Sequence, residues 1–558
     1  MRRRVLAASV ALVALVLSGC AAIPSSGPVQ VGDPVPPAAP PDIDILVPGP
    51  VAGQTQSEIL NGFINAALSP RNNYQVAREY LTAAFRDEWQ ADEGATIDVL
   101  ADREVQAVDD TLMRVSATPA AALGPNGQYE EPDSSTPIPL EYRFEQVDGE
   151  WRISSAPPGI LIDQVGFTQV FDDYTVYFFD PAFRYLVPDV RWYAVREAAQ
   201  TSIVQAMIAG AADWLAPGVV SAFPEGVTLE PAAVPVSGGV ADVSLTGAAF
   251  DSLSTVQGMQ QQLEASLVGV REIRSVELTL NGVEPDIPSD ADPPIRNPRV
   301  DPRSVVFDGE AFGHLATTGE RIEPIPGLSE QVIALAPSGA AVGPGEESAA
   351  VRNAAGVWLA RVGEASVLLD PRDDLIDPAV DGEGVVWSVP ASLPDQLAWY
   401  SPDGATSGQV DVPWSGSEIA SLEVSRDSTR MIALLADGGR THFVAASIQR
   451  DENGLPVGLG TMPLTLDDVA GTPLDVTWLD SRTVASLTAL PDGTTRIITQ
   501  ELGGFANQRD GPVDAVRIDG GNNDLRALTA EGDFDVRSGV GWQVRASGIR
   551  LLATQQAR

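Results

Sequence analysis

The first apolar pattern that predicts folded structure begins at Ser57. Ser57 is a candidate N-cap, and apolar residues follow it at the three- and four-residue spacing of one helix face: Ile59, Leu60, Phe63, Ile64, Ala67 and Leu68. The same spacing predicts a second helix over residues 74–85. Alternating apolar and polar positions then predict strands over residues 96–100, 112–117, 140–144 and 151–153, with a hairpin turn at Asp148-Gly149. Helices followed by an antiparallel sheet predict an α+β domain.

Strand and helix patterns alternate in the next part of the chain. The predicted elements are a strand over residues 174–179, a helix over 190–209 that ends at Gly210, a strand over 240–245, a helix capped by Ser254, and a strand over 276–280. This β, α, β, α, β order predicts a small α/β sandwich.

From residue 305 onward the pattern consists almost entirely of short strands separated by turns. The strands are predicted over residues 332–336, 356–361, 384–389, 396–400, 430–435, 441–448, 483–487 and 496–500. Turn signals such as Asp381-Gly382 and Asp437-Gly438 separate them. At about 40 to 45 residues per blade, this spacing predicts a β-propeller of five or six blades.

The amino terminus carries the pattern of an export signal. Three arginines precede an apolar run over residues 5–17, which is shorter than the roughly 20 apolar residues that span a bilayer. The run ends in Leu17-Ser18-Gly19-Cys20, which resembles the lipobox of bacterial lipoproteins. The resemblance implies cleavage between Gly19 and Cys20. It also implies a diacylglycerol on the Cys20 sulfur and an acyl chain such as palmitate on the amine of Cys20, the new amino terminus.

These patterns divide the chain into six segments. The multidomain organisation is a signal peptide over residues 1–19, a Pro-rich tether over 20–53, an α+β domain over 54–165 that resembles the NTF2-like cone, a small α/β domain over 170–283, a linker over 284–304, and an all-β propeller over 305–558. We expect the acylated Cys20 to insert into membrane lipid and hold the three folded domains outside it, because acyl chains anchor a protein without a spanning helix.

Charge excludes one class of ligand. The chain has 76 acidic and 35 basic residues, for a net charge of −41. A surface this acidic repels phosphate groups, so we expect neither nucleic acid nor anionic lipid headgroups as ligands. The one cysteine, Cys20, leaves no disulfide within the chain.

The sequence contains few residues that could form a catalytic site. The only histidines, His314 and His442, have no His or Cys at metal-ligand spacing. Asp172-Asp173 is a candidate carboxylate pair for glycoside cleavage, although solvated surface acids explain it better. No phosphate-binding loop is present. We therefore expect no catalytic, cofactor or metal residue, and no enzyme activity.

Six tryptophans of the predicted propeller allow two interpretations. They are Trp358, Trp387, Trp399, Trp414, Trp478 and Trp542. Their rings could stack on sugars, but packing between blades is favoured because large aromatic side chains fill the interior of a propeller.

Motifs in all three parts point to one family. The amino-terminal motifs are Ile23-Pro24-Ser25-Ser26-Gly27, Gly62-Phe63, and Ala77-Arg78-Glu79-Tyr80-Leu81-Thr82 followed by Trp89. Residues 205–210, 221–226, 240–245 and 276–282 resemble the GerMN domain of sporulation and spore germination. Residues 425–432 and 478–484 resemble propeller blades, although Ser428 stands where Gly is more usual. Together the chain resembles the actinobacterial LpqB lipoproteins.

The resemblance implies a function and a location. It implies an accessory lipoprotein on the extracytoplasmic face of the cell membrane. Its implied partner is the extracytoplasmic domain of a two-component sensor kinase of the MtrA-MtrB type, in signalling linked to cell-wall homeostasis and division. Two alternatives remain at this stage: an envelope scaffold that binds peptidoglycan or another polysaccharide, and a hydrolase built on propeller carboxylates.

Overall fold

A computed structural model describes residues 47–557 except residues 133, 196–197, 289–291, 320 and 468. The predicted signal peptide, the predicted cleavage and acylation at Cys20, and residues 20–46 of the predicted tether lie outside the described residues. No helix in the described part of the chain combines the length and the apolar character needed to cross a membrane.

The amino-terminal domain packs helices against two four-stranded sheets. Its helices are α1 (Gln56–Asn65), α2 (Arg71–Glu79), α3 (Ala83–Arg86) and α4 (Gln164–Val170). Its strands are β1 (Ala95–Asp98), β2 (Glu104–Ala107), β3 (Leu112–Ala117), β4 (Pro119–Leu123), β5 (Tyr129–Glu130), β6 (Ile138–Val147), β7 (Glu150–Ser155) and β8 (Ile160–Asp163). The sheet orders are β2-β3-β6-β7 and β5-β4-β1-β8. The predicted α+β class is confirmed.

Two helix predictions in this domain were wrong in detail. Helix α1 is capped by Thr55 instead of Ser57, because the Thr55 side chain accepts the Glu58 amide while the Glu58 carboxylate accepts the Thr55 amide. The predicted helix over residues 74–85 is instead two helices, because the backbone of Thr82 is extended and its side chain caps α3. The predicted hairpin turn is confirmed, with Asp148 and Gly149 both at positive φ.

The middle domain combines two small sheets with two helices. Its elements are β9 (Phe171–Phe179), β10 (Tyr185–Ala194), α5 (Ala199–Ala209), β11 (Thr228–Leu229), β12 (Val236–Ser237), β13 (Val240–Thr246), α6 (Leu253–Leu267), β14 (Ser275–Leu280) and β15 (Ile295–Arg296). One sheet has the order β15-β10-β9. In the other, β13 lies between β11 and β12 and pairs in parallel with β14.

Three features of the middle domain differ from prediction. The helix predicted over residues 190–209 begins only at Ala199, because β10 occupies residues 185–194. Nearly every side chain of β10 is buried, and a strand buried on both faces has a continuous apolar run that periodicity does not separate from a buried helix. The cap of α6 is Ser252 instead of Ser254. Strand β15 lies inside the predicted linker and pairs in parallel with β10.

The carboxyl-terminal part is a β-propeller of six four-stranded units. The first three contain β40 (Leu551–Gln555), β16 (Val305–Phe307), β17 (Phe312–Leu315) and β18 (Ile322–Pro324); β19 (Gly339–Val342), β20 (Ser348–Asn353), β21 (Gly356–Arg361) and β22 (Val367–Asp370); and β23 (Ala379–Val380), β24 (Val386–Ser388), β25 (Ala398–Tyr400) and β26 (Ser407–Gln409).

The remaining blades complete the propeller. They contain β27 (Glu418–Val424), β28 (Arg430–Asp437), β29 (Arg440–Arg450) and β30 (Pro456–Leu459); β32 (Thr472–Trp478), β33 (Thr483–Ala489), β34 (Thr495–Glu501) and β35 (Ala506–Asp510); and β36 (Ala515–Gly521), β37 (Asp524–Thr529), β38 (Phe534–Ser538) and β39 (Gly541–Ala546). A short strand, β31 (Leu464–Thr465), pairs with β29 in the fourth blade.

The first strands of the six units contact one another in a ring, in the order β40, β19, β23, β27, β32, β36 and back to β40. Strand β40, from the carboxyl terminus, pairs antiparallel with β16 and parallel with β19. The first blade is thus built from both ends of the propeller sequence. The strand predicted over residues 332–336 was wrong, because residues 329–334 form helix α7 (Ser329–Ala334).

Candidate functional site

The three folded parts of the chain share an aromatic cluster. It consists of Tyr129 and Phe167 from the amino-terminal domain, Trp192 from β10 and Phe505 from the turn between β34 and β35. The Phe505 ring centroid lies 4.9 Å from that of Tyr129, 5.6 Å from that of Phe167 and 5.4 Å from that of Trp192. Trp192 Nε1 also donates to the Gly503 carbonyl at 2.9 Å. Residues from three domains therefore meet in one core.

The middle domain makes further close contacts with the propeller. Arg482 Nη1 donates to Thr175 Oγ1 at 2.6 Å. Gly218 lies so close to β29 that a Cβ there would be 2.9 Å from both the Ser447 Cβ and the Thr429 carbonyl oxygen. A side chain at position 218 would push the two domains apart.

Beside the aromatic cluster lies a cleft of about 840 Å³, which we name the three-domain cleft because every domain contributes to it. Four acids line it: Glu130, Glu131, Asp189 and Asp213. Trp214, Met462 and Leu464 add apolar surface, and the Met462 side chain is 54% exposed. Ligand sites occur preferentially at such domain interfaces.

The three-domain cleft is negatively charged. Asp189 is neutralised, because Arg191 Nη2 lies 2.6 Å from its Oδ2 and the Ala212 amide donates to it. Glu130 and Asp213 are exposed acids of the lining, and Glu131 accepts from Gln500 Nε2 at 3.2 Å. Burial, reinforced by the Glu131 charge, raises the pKa of Tyr129, so its phenol stays protonated. Acidic groups around an apolar wall suit a ligand that is both cationic and partly apolar.

A second candidate site is the His314 cluster, which consists of Asp301, His314 and Glu346. One possible donor atom from each lies within 4.8 Å of the others. His314 Nε2 is 3.1 Å from Glu346 Oε1, and the imidazole is 4% exposed. The Asp301 carboxylate accepts from Arg303 Nε at 2.9 Å and from Nη2 at 2.8 Å. These bonds from Arg303 hold the pKa of Asp301 far below its usual range, against the opposing effect of burial.

The His314 cluster was missed by sequence reasoning. His314 lies on β17, Asp301 lies in the segment before β16, and Glu346 lies in the turn between β19 and β20. These residues have no recognisable spacing, because the ring of blades and not local sequence brings them together. One imidazole and two carboxylates form a donor set that can hold a divalent metal ion.

The other residues singled out from the sequence are not brought together. His442 lies on β29 opposite Leu435. Asp172 and Asp173 are neighbours on β9, so their side chains point to opposite faces of the sheet. Burial, with the neighbouring Asp173 charge, raises the pKa of Asp172, whereas Asp173 lies 3.4 Å from Arg482 Nη1. The two carboxylates do not face a common point, as an acid and base pair requires.

Four of the six propeller tryptophans are buried, as the packing interpretation predicted. Trp387 is completely buried, and Trp399, Trp414 and Trp478 are each less than a tenth exposed. Both remaining tryptophans are partly buried: Trp358 packs against an apolar cluster of the first and second blades, and Trp542 against one of the fifth and sixth blades. Most of the aromatic surface is therefore committed to the propeller core.

Buried carboxyl groups also lie on first strands of three consecutive blades. They are Glu423 on β27, Asp475 on β32 and Asp519 on β36. Burial, followed by repulsion from Asp519 and Asp475, raises the pKa of Glu423 to about 8. Its carboxylate accepts the Trp478 amide at 2.7 Å, which bonds the fourth blade to the fifth. We interpret these groups as links between blades.

Comparison with known proteins agrees with this architecture. Residues 49–168 match the family model of the LpqB lipoprotein N-terminal domain, residues 175–286 match that of sporulation and spore germination, and residues 313–546 match that of the LpqB beta-propeller domain. The chain belongs to the LpqB lipoprotein family. The predicted domain kinds are thereby confirmed in their predicted order.

Full-length relatives extend the similarity across the chain. Lipoprotein LpqB of Cutibacterium acnes is 28% identical, over 86% of this chain and 84% of its own length. Lipoprotein LpqB of Thermobifida fusca is 26% identical, over 96% of this chain and 94% of its own length. Family membership implies a membrane-anchored lipoprotein of the cell envelope.

Solved structures resemble the chain only loosely. A Myceliophteria thermophila Cps50 (Swd1) beta-propeller domain has a TM-score of 0.26 and 11% identity, and covers 33% of this chain and 63% of its own. A nidogen/laminin complex has a TM-score of 0.32 and 10% identity, and covers 46% of this chain and 96% of its own. The propeller assignment rests on the strand order and the family model instead.

Proposed function

We propose that the protein is a lipid-anchored accessory protein that modulates a two-component sensor kinase of the MtrA-MtrB type from the extracytoplasmic side. The three-domain cleft is the observation that carries the proposal. In this proposal its occupant is a basic, partly apolar segment of the kinase's extracytoplasmic domain. Family membership supports an envelope lipoprotein, and the charge of the cleft supports this choice of ligand.

Charge complementarity gives the interaction a magnitude. Exposed ion pairs each contribute about 0.2–1 kcal/mol, so pairing with Glu130, Glu131 and Asp213 would contribute about 0.6–3 kcal/mol. Since 1.4 kcal/mol is tenfold in affinity, this is roughly 3- to 150-fold. Such ion pairs also increase the rate of association, and their contribution decreases as the salt concentration rises.

Anchoring makes a modest affinity sufficient. We propose that Cys20 carries a diacylglycerol and an acyl chain, and two or more chains hold a protein stably in a membrane. Confinement beside a membrane-embedded partner raises its effective concentration without any new contact. The Pro-rich tether would let the cleft reach a domain that stands away from the lipid surface.

Cross-linking in intact cells tests the proposal. The test variant is Glu130→Gln/Glu131→Gln/Asp213→Asn, and the matched control is Glu452→Gln/Asp524→Asn/Glu531→Gln, which neutralises three exposed acids of the propeller. We expect the full-length wild type and the control to cross-link to the sensor kinase more than an unrelated lipoprotein does. The test variant should lose most of this signal.

Two results would contradict the proposal. If the wild type does not enrich the kinase, the kinase is not its partner. If the test and control variants cross-link equally, the three-domain cleft is not the binding site. The alternative of a peptidoglycan or polysaccharide scaffold predicts instead that the protein is retained on purified cell wall. Burial of four propeller tryptophans disfavours this alternative, because buried rings cannot stack on sugars.

A further inference from the structure

We propose that the His314 cluster binds one divalent transition-metal ion, with Zn²⁺ as the best fit, through Asp301, His314 and Glu346. The donor atoms already lie within 4.8 Å of one another. Zn²⁺ takes imidazole nitrogen and carboxylate oxygen ligands at about 2.0–2.2 Å. Three protein donors would leave a further coordination position for water, as in sites that are not purely structural.

The orientation of His314 supports the proposal. Its imidazole is buried, and its Nε2 faces Glu346 Oε1 at 3.1 Å. Nε2 is therefore the nitrogen that would ligate the ion, and Nδ1 would carry the ring proton. Nδ1 is buried and has no hydrogen-bond partner among the described residues, so no contact there fixes the ring in the opposite tautomer.

Arg303 gives the site a supporting partner. Its guanidinium holds Asp301 through Nε and Nη2, and its Nη1 donates to Glu323 at 2.8 Å. Metal-ligating carboxylates are commonly oriented by such hydrogen bonds from a residue that does not touch the metal. Arg303 is therefore a positioning residue for Asp301, fixed in turn by Glu323 on the strand beside β17.

The position of the cluster gives the metal a consequence. Its three residues come from the segment entering the propeller, from β17 of the first blade and from the β19–β20 turn of the second blade. A bound ion would join these two blades next to the point where β40 closes the ring. It would stabilise the folded propeller by mass action, because the separated residues do not form a site in the unfolded chain.

Zinc retention by the full-length protein is the first measurement. The protein is treated with a chelator, incubated with ZnCl₂, passed through gel filtration and analysed for zinc by mass spectrometry. We expect about one zinc per chain in the wild type. His314→Gln and Glu346→Gln should both retain only the background, while His442→Gln, which changes the other histidine, and Glu347→Gln, which changes an exposed neighbour, should match the wild type.

Melting temperature and Co²⁺ spectra separate binding at this site from binding to the many surface acids. Zn²⁺ should raise the melting temperature of the wild type and of His442→Gln but not of His314→Gln, and Co²⁺ should give ligand-field absorption in the same two proteins. The alternative is that the cluster holds no ion and that His314 is only hydrogen-bonded to Glu346. Background zinc in the wild type, or wild-type retention by both His314→Gln and Glu346→Gln, would overturn the metal site in favour of that hydrogen bond.

If His314→Gln does not fold, Glu346→Gln carries the test, because the Glu346 side chain is 22% exposed and a turn tolerates the change. The metal site and the proposed kinase function stand on separate residues. Cross-linking to the kinase can therefore fail while zinc binding is observed, and zinc binding can fail while cross-linking to the kinase is observed.

Discussion

Replacing Phe505 by alanine should loosen the propeller from the other two domains. Phe505 is partly buried and contacts three aromatic rings across the junction. Burying a phenylalanine side chain contributes about 1.5–3 kcal/mol, and each aromatic pair adds about 0.5–1.5 kcal/mol. Because the ring is only partly buried, we expect docking to weaken by about 2–4 kcal/mol in total.

Hydrogen exchange measures this loss locally. A weakening of about 2–4 kcal/mol corresponds to roughly 30- to 1,000-fold faster exchange where docking limits opening. We expect the increase in residues 126–131 and 500–506, which lie on the two sides of the aromatic cluster. A global unfolding free energy is less informative, because a multidomain chain need not unfold in one step.

Phe534→Ala is the matched control. Phe534 is buried inside the sixth blade, away from the junction, so its loss should destabilise the propeller without changing exchange in residues 126–131. Wild-type exchange in both junction segments of Phe505→Ala would refute the reasoning. So would equal changes at residues 126–131 in the two variants.

Three further predictions concern buried and capping groups. The raised pKa of Glu423 means that the folded state holds a proton which the unfolded state releases. The free energy of unfolding should therefore fall as pH rises from about 5 to 9. Urea unfolding at these two pH values should show a smaller fall for Glu423→Gln than for the wild type. Asp189→Ala should cost about 3–5 kcal/mol in urea unfolding, because it leaves Arg191 buried and unpaired, whereas Asp189→Leu/Arg191→Met should cost less. Thr55→Ala should lower stability by about 1 kcal/mol and Thr55→Ser should not, which thermal unfolding checks.

Local patterns were sufficient wherever one face of an element is buried and the other exposed. Helix α1 and strands such as β13 follow their predicted periodicity because a half-buried element must alternate its apolar positions. Strand β10 does not alternate, because both of its faces are covered, and even Arg191 is buried there against Asp189. Periodicity therefore failed where tertiary burial is complete.

The candidate sites were less accessible to sequence reasoning than the fold. The three-domain cleft depends on Glu130, Asp213 and Met462, which belong to three different domains and meet only after docking. The His314 cluster likewise depends on the ring of blades. By contrast, acylation of Cys20 follows from a contiguous motif and stays a prediction, because Cys20 lies outside the described residues.

Strand β40 sets an order of events for the propeller during synthesis. The first blade cannot be completed until residues 551–555 are available to pair with β16, so a growing chain that lacks these residues has an open ring with no strand between β16 and β19. Contacts between such distant parts of a sequence form slowly. The propeller should consequently mature only after residue 555 has been synthesised, and deletion of residues 551–555 should leave β16 as an exposed edge strand that is prone to aggregation.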